Sequence, residues 1–73
     1  MKAFSAQDVG RIVRSARKKA GLTQRELAEA SRCGVRFVSD LENGKPTIEL
    51  GKAIHVLNVL SMDLDIRQRG ERQ

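Results

Sequence analysis

Apolar residues in the first third of the chain recur at helical spacing, three or four positions apart, which predicts a helix with one buried face. The positions are Val9, Ile12, Val13, Ala16 and Ala20. Ser5 is a favourable N-cap with Asp8 three residues on, a variant of the capping box. Gly21 stands where a left-handed residue would end the helix. We therefore predict a first helix over residues 6–20.

A second start signal follows directly. Thr23 is an N-cap, and Glu26 occupies the capping-box position three residues later. This predicts a short second helix over 24–31, because Gly34 weakens any continuation. A third helix is predicted over 35–43, ending at Asn43-Gly44. Ala30, Cys33 and Val38 are expected in the core.

The last third of the chain predicts one more helix and then a strand. Thr47 is the expected N-cap of the fourth helix, whose inner face is Leu50, Ile54, Leu57 and Leu60. Beyond it, Met62, Leu64 and Ile66 alternate with charged residues, the period of a strand. A single strand cannot satisfy its own backbone groups. The same strand of a second copy is the economical partner; the alternative is irregular chain lying along the core.

The predicted fold class is therefore all-α, with four helices or five and a short C-terminal strand paired across a dimer. We expect residues 1–67 to form the domain and residues 68–73 to form a flexible tail. Two valines of the fourth helix fall off its predicted inner face and suggest an interface, although singly exposed valines are also normal. The expected dimer interface consists of Val56, Val59, Met62, Leu64 and Ile66.

The net positive charge of the chain limits the classes of function to consider. Lys and Arg outnumber Asp and Glu by 14 to 9, and the isoelectric point is near 10.2. This balance favours an anionic partner, most simply nucleic acid. The single cysteine excludes an internal disulfide framework and fits the cytoplasm. No apolar run is long enough for a membrane span, and no metal-ligand cluster, phosphate loop or catalytic constellation is visible, so we expect neither an enzyme nor a cofactor.

Two short helices joined by a three-residue turn are the helix-turn-helix layout, in which the second helix enters the major groove. At about 100° per residue, Val38 and Leu41 mark the inner face of helix 3. The opposite face is polar and combines donors with acceptors: Arg36, Ser39, Asp40 and Asn43. A solvated face would look similar, so the basic charge and the turn spacing carry the interpretation.

The run LTQRELAEAS…VSDLENGK resembles the lambda-repressor-like, XRE-type helix-turn-helix family over about residues 8–60. The continuation KPTIELGKAIHVLNVLSMDLDI is similar to the HipB-like antitoxin branch. In that branch a terminal strand pairs across the dimer, and the protein also binds a HipA-like toxin kinase. The resemblance implies double-stranded DNA with a palindromic operator as the partner of a homodimer.

The resemblance also implies residue roles. Base contacts fall on Val35, Arg36 and Asp40, and backbone contacts on Gln24, Ser39, Asn43 and Lys45. Arg17 and Glu42 match an ion pair that ties helix 1 to helix 3. Arg36 suits a bidentate contact to guanine; its alternative is a surface pair with Asp40, worth about 0.2–0.5 kcal/mol. Val35 suits a thymine methyl or a partly buried helix start.

Three residues depart from the family pattern. Arg32 occupies the turn position that usually carries glycine, so we expect it in a left-handed conformation at a cost of about 1 kcal/mol. Gly34 replaces the usual Ser or Thr as the N-cap of helix 3, which is tolerated. Cys33 takes the place of a buried valine and should behave as a small hydrophobe.

The function expected from these features is a cytoplasmic, nucleoid-associated repressor. We favour the antitoxin of a HipB-like operon, which silences its own promoter and binds its toxin. Two alternatives are also compatible with the sequence. One is a stand-alone phage-type or metabolic repressor, and the other is a toxin-neutralising protein-binding module that hardly binds DNA.

Overall fold

The computed structural model describes residues 5–65, which form four helices: α1 (Ala6–Lys19), α2 (Gln24–Ser31), α3 (Val35–Glu42) and α4 (Leu50–Val59). All four predicted helices are present, and the part of the chain described contains no fifth. Helix α3 packs against both α1 and α2, and α4 packs against α2. Leu27, Val13, Val38 and Val56 are fully buried at the centre of the core.

Local signals set the starts of the first two helices. The amide of Asp8 donates to Ser5 Oγ over 3.1 Å, and that of Glu26 donates to Thr23 Oγ1 over 3.0 Å. Glu26 Oε1 in turn accepts from the Thr23 amide over 2.8 Å, which completes the predicted capping box. These bonds satisfy amides that have no partner inside the helix. Both helices start where the caps predict.

The turn between α2 and α3 has the expected backbone. Arg32 is left-handed, with φ 56° and ψ 45°, and Gly34 is the extended N-cap of α3 without a side-chain bond. Cys33 is half-buried against the core, and Val38 is fully buried. The prediction for Ala30 was wrong: it is exposed, because α2 buries Leu27, Ala28 and Ser31 instead.

Helix α4 departs most from the prediction. Its N-cap is Glu49, which accepts from the Lys52 amide, whereas Thr47 lies in the turn before it. Leu50 is 60% exposed and lies off the core face. The apolar residues of α4 are spread around all sides of the helix, so their spacing alone does not predict which side is buried. Packing on α2 selects the buried face. That face consists of Ala53, Val56 and Leu57.

The rotation of α4 corrects the expectation for its two valines. Val56 is 0% exposed, so it belongs to the core of the single chain and is not free for a dimer contact. Val59 is half-buried and packs on the same core, as does Met62. Leu64 is 44% exposed. Residues 62–65 form no strand within the chain, and Ile66, with the rest of the predicted strand, lies outside the described residues.

Helix α1 approaches α3 through a glycine that the pattern did not single out. Gly10 is buried, and a Cβ at this position would lie 2.5 Å from the carbonyl oxygen of Glu42 and 2.6 Å from that of Leu41. Such distances leave no room for any side chain. The end of α3, which the candidate site uses, is therefore held against α1 at backbone contact.

Candidate nucleic-acid interface

The exposed side of α3 brings together the residues expected to contact bases. Val35 and Arg36 are exposed at its first turn, while Ser39 and Asp40 are half-exposed one turn later. Leu41 and Glu42 turn inward and are buried. The outward residues thus form one continuous face along the helix, closed at its end by exposed Asn43.

Arg36 is the chemically most versatile group on this face. Within residues 5–65 its guanidinium makes no hydrogen bond or ion pair, so all its donors face solvent. The pair with Asp40 considered as its alternative role is not formed. Asp40 lies instead 3.6 Å from the ammonium of Lys45. An unpaired guanidinium is free to make the two parallel hydrogen bonds that recognise guanine or a phosphate.

Three further side chains complete the chemistry of the face. Val35 is 42% exposed and offers methyl groups for an apolar contact. Asn43 Nδ2 donates to Ser39 Oγ over a long 3.4 Å, which leaves both groups available to another partner. Donors, an acceptor and an apolar group therefore occur side by side. This combination matches what a base edge in the major groove presents.

A buried ion pair fixes the end of this helix. Arg17 donates from Nε to Glu42 Oε2 over 2.6 Å and from Nη2 to Oε1 over 3.1 Å. Its Nη1 donates to the carbonyl oxygen of Leu22 over 2.8 Å. The hydrogen bonds that Arg17 donates to the Glu42 carboxylate raise the pKa of Arg17, and burial opposes this shift. Arg17 therefore joins α1, the α1–α2 turn and α3.

Glu42 also holds the residue expected to contact a phosphate. Gln24 Nε2, in the first turn of α2, donates to Glu42 Oε1 over 3.1 Å. One carboxylate thereby positions Arg17 from α1 and Gln24 from α2. The family resemblance implied the pair of Arg17 and Glu42. The bond from Gln24 to Glu42 was not predicted, because these two residues are 18 positions apart and no local pattern joins them.

The loop after α3 is shaped by a second close approach. Gly44 has φ +79°, and a Cβ there would meet Cγ of Gln7 at 2.7 Å. The loop is thus seated against the first turn of α1, and it carries Asn43 and Lys45 on either side of the glycine. Asn43 and Lys45 thus follow the end of α3 at which Glu42 accepts from Gln24.

Phe37 and Cys33, near the turn between α2 and α3, pack against the core. Phe37 is half-buried against the core, and the ammonium of Lys52 lies 5.9 Å from its ring centre. Burial raises the pKa of the Cys33 thiol, and the positive charge of Lys52 opposes that shift. A protonated, half-buried thiol packs as a small apolar group. Neither residue faces the exposed side of α3.

The fold agrees with comparisons to known proteins. A family model described as helix-turn-helix matches residues 13–66. The chain belongs to this helix-turn-helix family. It is 47% identical to the uncharacterized HTH-type transcriptional regulator y4mF of Sinorhizobium fredii, over 90% of this chain and 87% of that protein. It is 32% identical to the transcriptional regulator ClgR of Mycobacterium tuberculosis, over 99% of this chain and 66% of that one.

Solved structures support the lambda-repressor-like, HipB-like form of this fold. The HipB chain of a HipB–O4 20mer complex superposes with a TM-score of 0.84 at 22% identity, over 94% of this chain and 97% of that one. A chain of a HipA–HipB–O2–O3 complex gives the same values. The relatives are transcriptional regulators rather than enzymes. In the described part of the chain, no helix has the length and apolar character needed to cross a membrane, and no cluster of side chains suits a metal ion.

Proposed function

We propose that this protein is a sequence-specific DNA-binding repressor that inserts α3 into the major groove. The observation that carries the proposal is the exposed, unpaired guanidinium of Arg36 on a helix whose end is fixed from behind by Arg17 and Glu42. Fixing the helix supports readout because base contacts require side chains at defined positions. Val35 and Asp40 complete the proposed base-reading set.

Backbone contacts flank the proposed base contacts. Gln24 stands at the start of α2, where unsatisfied amides and the helix dipole favour a phosphate. Ser39, Asn43 and Lys45 are the other proposed backbone contacts. The ammonium of Lys45 now lies 3.6 Å from the carboxylate of Asp40. In the proposed complex a phosphate would replace Asp40 as its partner. Such contacts orient the protein on DNA without distinguishing sequences.

We further propose a homodimer that binds a palindromic operator, with half-sites one DNA turn or a multiple apart. Leu64 supports this proposal: it is 44% exposed and lines an apolar cavity of about 110 Å³ together with Val9, Ile54 and Leu57. Pairing of residues 62–67 from two copies would cover this side and satisfy the backbone of the segment. Light scattering tests the idea, since Leu64→Asp should give monomers. A Leu64→Asp variant that stays dimeric would contradict it.

The biological role we propose is that of an antitoxin that represses its own operon in the cytoplasm and binds a HipA-like toxin. The likeness to the HipB chain of the HipA–HipB–O2–O3 complex supports this choice over a stand-alone repressor. Co-expression with the product of any adjacent toxin-like gene, followed by co-purification, tests it. Absence of such a gene would favour the stand-alone repressor.

DNA binding itself is tested by selection from a duplex library with a randomised centre of about 20 base pairs. We expect enrichment of a palindrome and a gel shift that survives excess random duplex. A chain that enriches no sequence, while still binding a toxin, would be a toxin-neutralising module instead.

A further inference from the structure

Helix α1 carries a row of exposed residues beside the candidate interface. At about 100° per residue, Arg14 and Lys18 project within about 20° of the direction of Gln7. All three are exposed. Because they follow at intervals of seven and four residues, the row runs along nearly the whole of α1, with its two charges toward the C-terminal half.

Contacts at both ends locate this row on the molecule. Gln7, at its start, touches Gly44, the residue between Asn43 and Lys45 in the loop after α3. Farther along, Arg17 lies on the flank of the row and reaches Glu42, which holds Gln24. The row therefore borders the edge of the interface at which the proposed backbone contacts lie.

The two charges on the row are unpaired within the part of the chain that the structure describes. Among residues 5–65, neither Arg14 nor Lys18 makes a hydrogen bond or ion pair. Arg11 projects near the same direction but is paired with Asp8. Lys19 projects about 120° from Gln7 and thus away from the row. Arg14 and Lys18 are therefore two exposed cations available for an anion on this side of α1.

We propose that Arg14 and Lys18 contact phosphates of the DNA backbone beyond the base pairs covered by α3. The proposal rests on the proposed function, since it extends the same surface onto α1. DNA is favoured over an acidic protein because the row continues the edge formed by Gln24, Asn43 and Lys45. A duplex docked on α3 passes along this edge, where its phosphates would meet the two cations.

The experiment compares Arg14→Gln, Lys18→Gln and the control Lys19→Gln, which removes one exposed charge from the same helix. Affinity for the selected operator and for a random-sequence duplex is measured at several salt concentrations. One phosphate contact contributes about 0.9 to the salt slope, which corresponds to about five-fold in affinity near 0.15 M salt. We expect each row variant to lose about that much on both duplexes and the control to change less than two-fold.

The outcomes separate the inference from the proposed function. If the unaltered chain binds neither duplex, the proposed function fails and the inference fails with it. If the unaltered chain binds its operator but the row variants match Lys19→Gln in affinity and slope, the inference alone is overturned, and the row faces solvent or an acidic protein. Equal melting temperatures of the three variants would exclude unfolding as the cause of a loss.

Discussion

Arg17 and Glu42 are 25 residues apart and meet through two hydrogen bonds between side chains that are only 10% and 2% exposed. Because Glu42 also accepts from Gln24, this pair joins three helices at one carboxylate. The contact lies on the inner side of α3 and therefore fixes the helix without occupying its outer face. The buried contact and the residues proposed for recognition thus lie on opposite sides of α3.

Removing one partner of the pair should destabilise the fold strongly. In Arg17→Met the carboxylate of Glu42 would stay buried with only Gln24 to compensate it, and such losses cost about 3–5 kcal/mol. Chemical denaturation measures the effect. The double variant Arg17→Met/Glu42→Leu should recover much of the loss because it removes both charges. A double variant no more stable than Arg17→Met would show that the charge is not the cause.

Replacement of Gly10 by alanine should also destabilise the protein, although alanine is the better helix former by about 1 kcal/mol. The new Cβ would lie 2.5 Å from the Glu42 carbonyl oxygen, so α1 and α3 must separate. We expect a net loss of about 1–3 kcal/mol in the free energy of unfolding. Gly51→Ala is the matched control, since its Cβ would approach only the flexible carboxylate of Glu49, at 3.3 Å. Equal effects of the two substitutions would refute the close approach.

Arg32→Gly should stabilise the protein, against the usual effect of glycine. Arg32 has φ 56°, which costs a residue with a side chain about 1 kcal/mol or more and glycine almost nothing. Part of the gain is offset because glycine is freer in the unfolded chain. We expect the free energy of unfolding to rise by about 0.5 kcal/mol, and Arg32→Asn to behave similarly. A fall in the melting temperature of Arg32→Gly would contradict the strain.

Cys33 should make the fold less stable at alkaline pH. Burial raises the pKa of its thiol, so the folded state holds a proton that the unfolded state has already lost. Stability is therefore unaffected below the ordinary thiol pKa of about 8.5 and falls as the pH rises above it. Comparing the unfolding free energies of the native chain and Cys33→Val between about pH 7 and 10 isolates this effect from lysine titration. Parallel curves would argue against a raised pKa.

The sequence predicted what local rules control. The Ser5 cap starts α1 and the Thr23–Glu26 capping box starts α2, both through contacts three residues apart. The left-handed conformation of Arg32 was expected from the family resemblance, which places a glycine at this turn position. The buried face of α4 was predicted less well. Its apolar residues lie on all sides of the helix, so packing on α2 decides that Val56 is buried. An isolated glycine inside a helical pattern, such as Gly10, was the available signal for the close approach to α3.

The sequence predicted which residues of the candidate site point outward, but not the hydrogen bonds and ion pairs between them. The outward positions of Arg36 and Asn43 follow from the helical period, whereas the bond from Gln24 to Glu42 depends on how three helices meet. The pairing of Asp40 with Lys45 rather than Arg36 depends on the loop after α3. The proposed pairing of the C-terminal segment would involve a second copy of the chain.

The most direct test of the account is the base preference of Arg36→Ala. Its affinity should be measured for the selected operator and for every single-base variant of one half-site, with Lys45→Ala as the comparison. We expect Arg36→Ala to lose about 1–3 kcal/mol of binding free energy and to lose its preference at one base pair. Lys45→Ala should weaken all duplexes evenly and flatten the salt dependence. If Arg36→Ala instead weakens every sequence equally and keeps all preferences, α3 does not read DNA through Arg36.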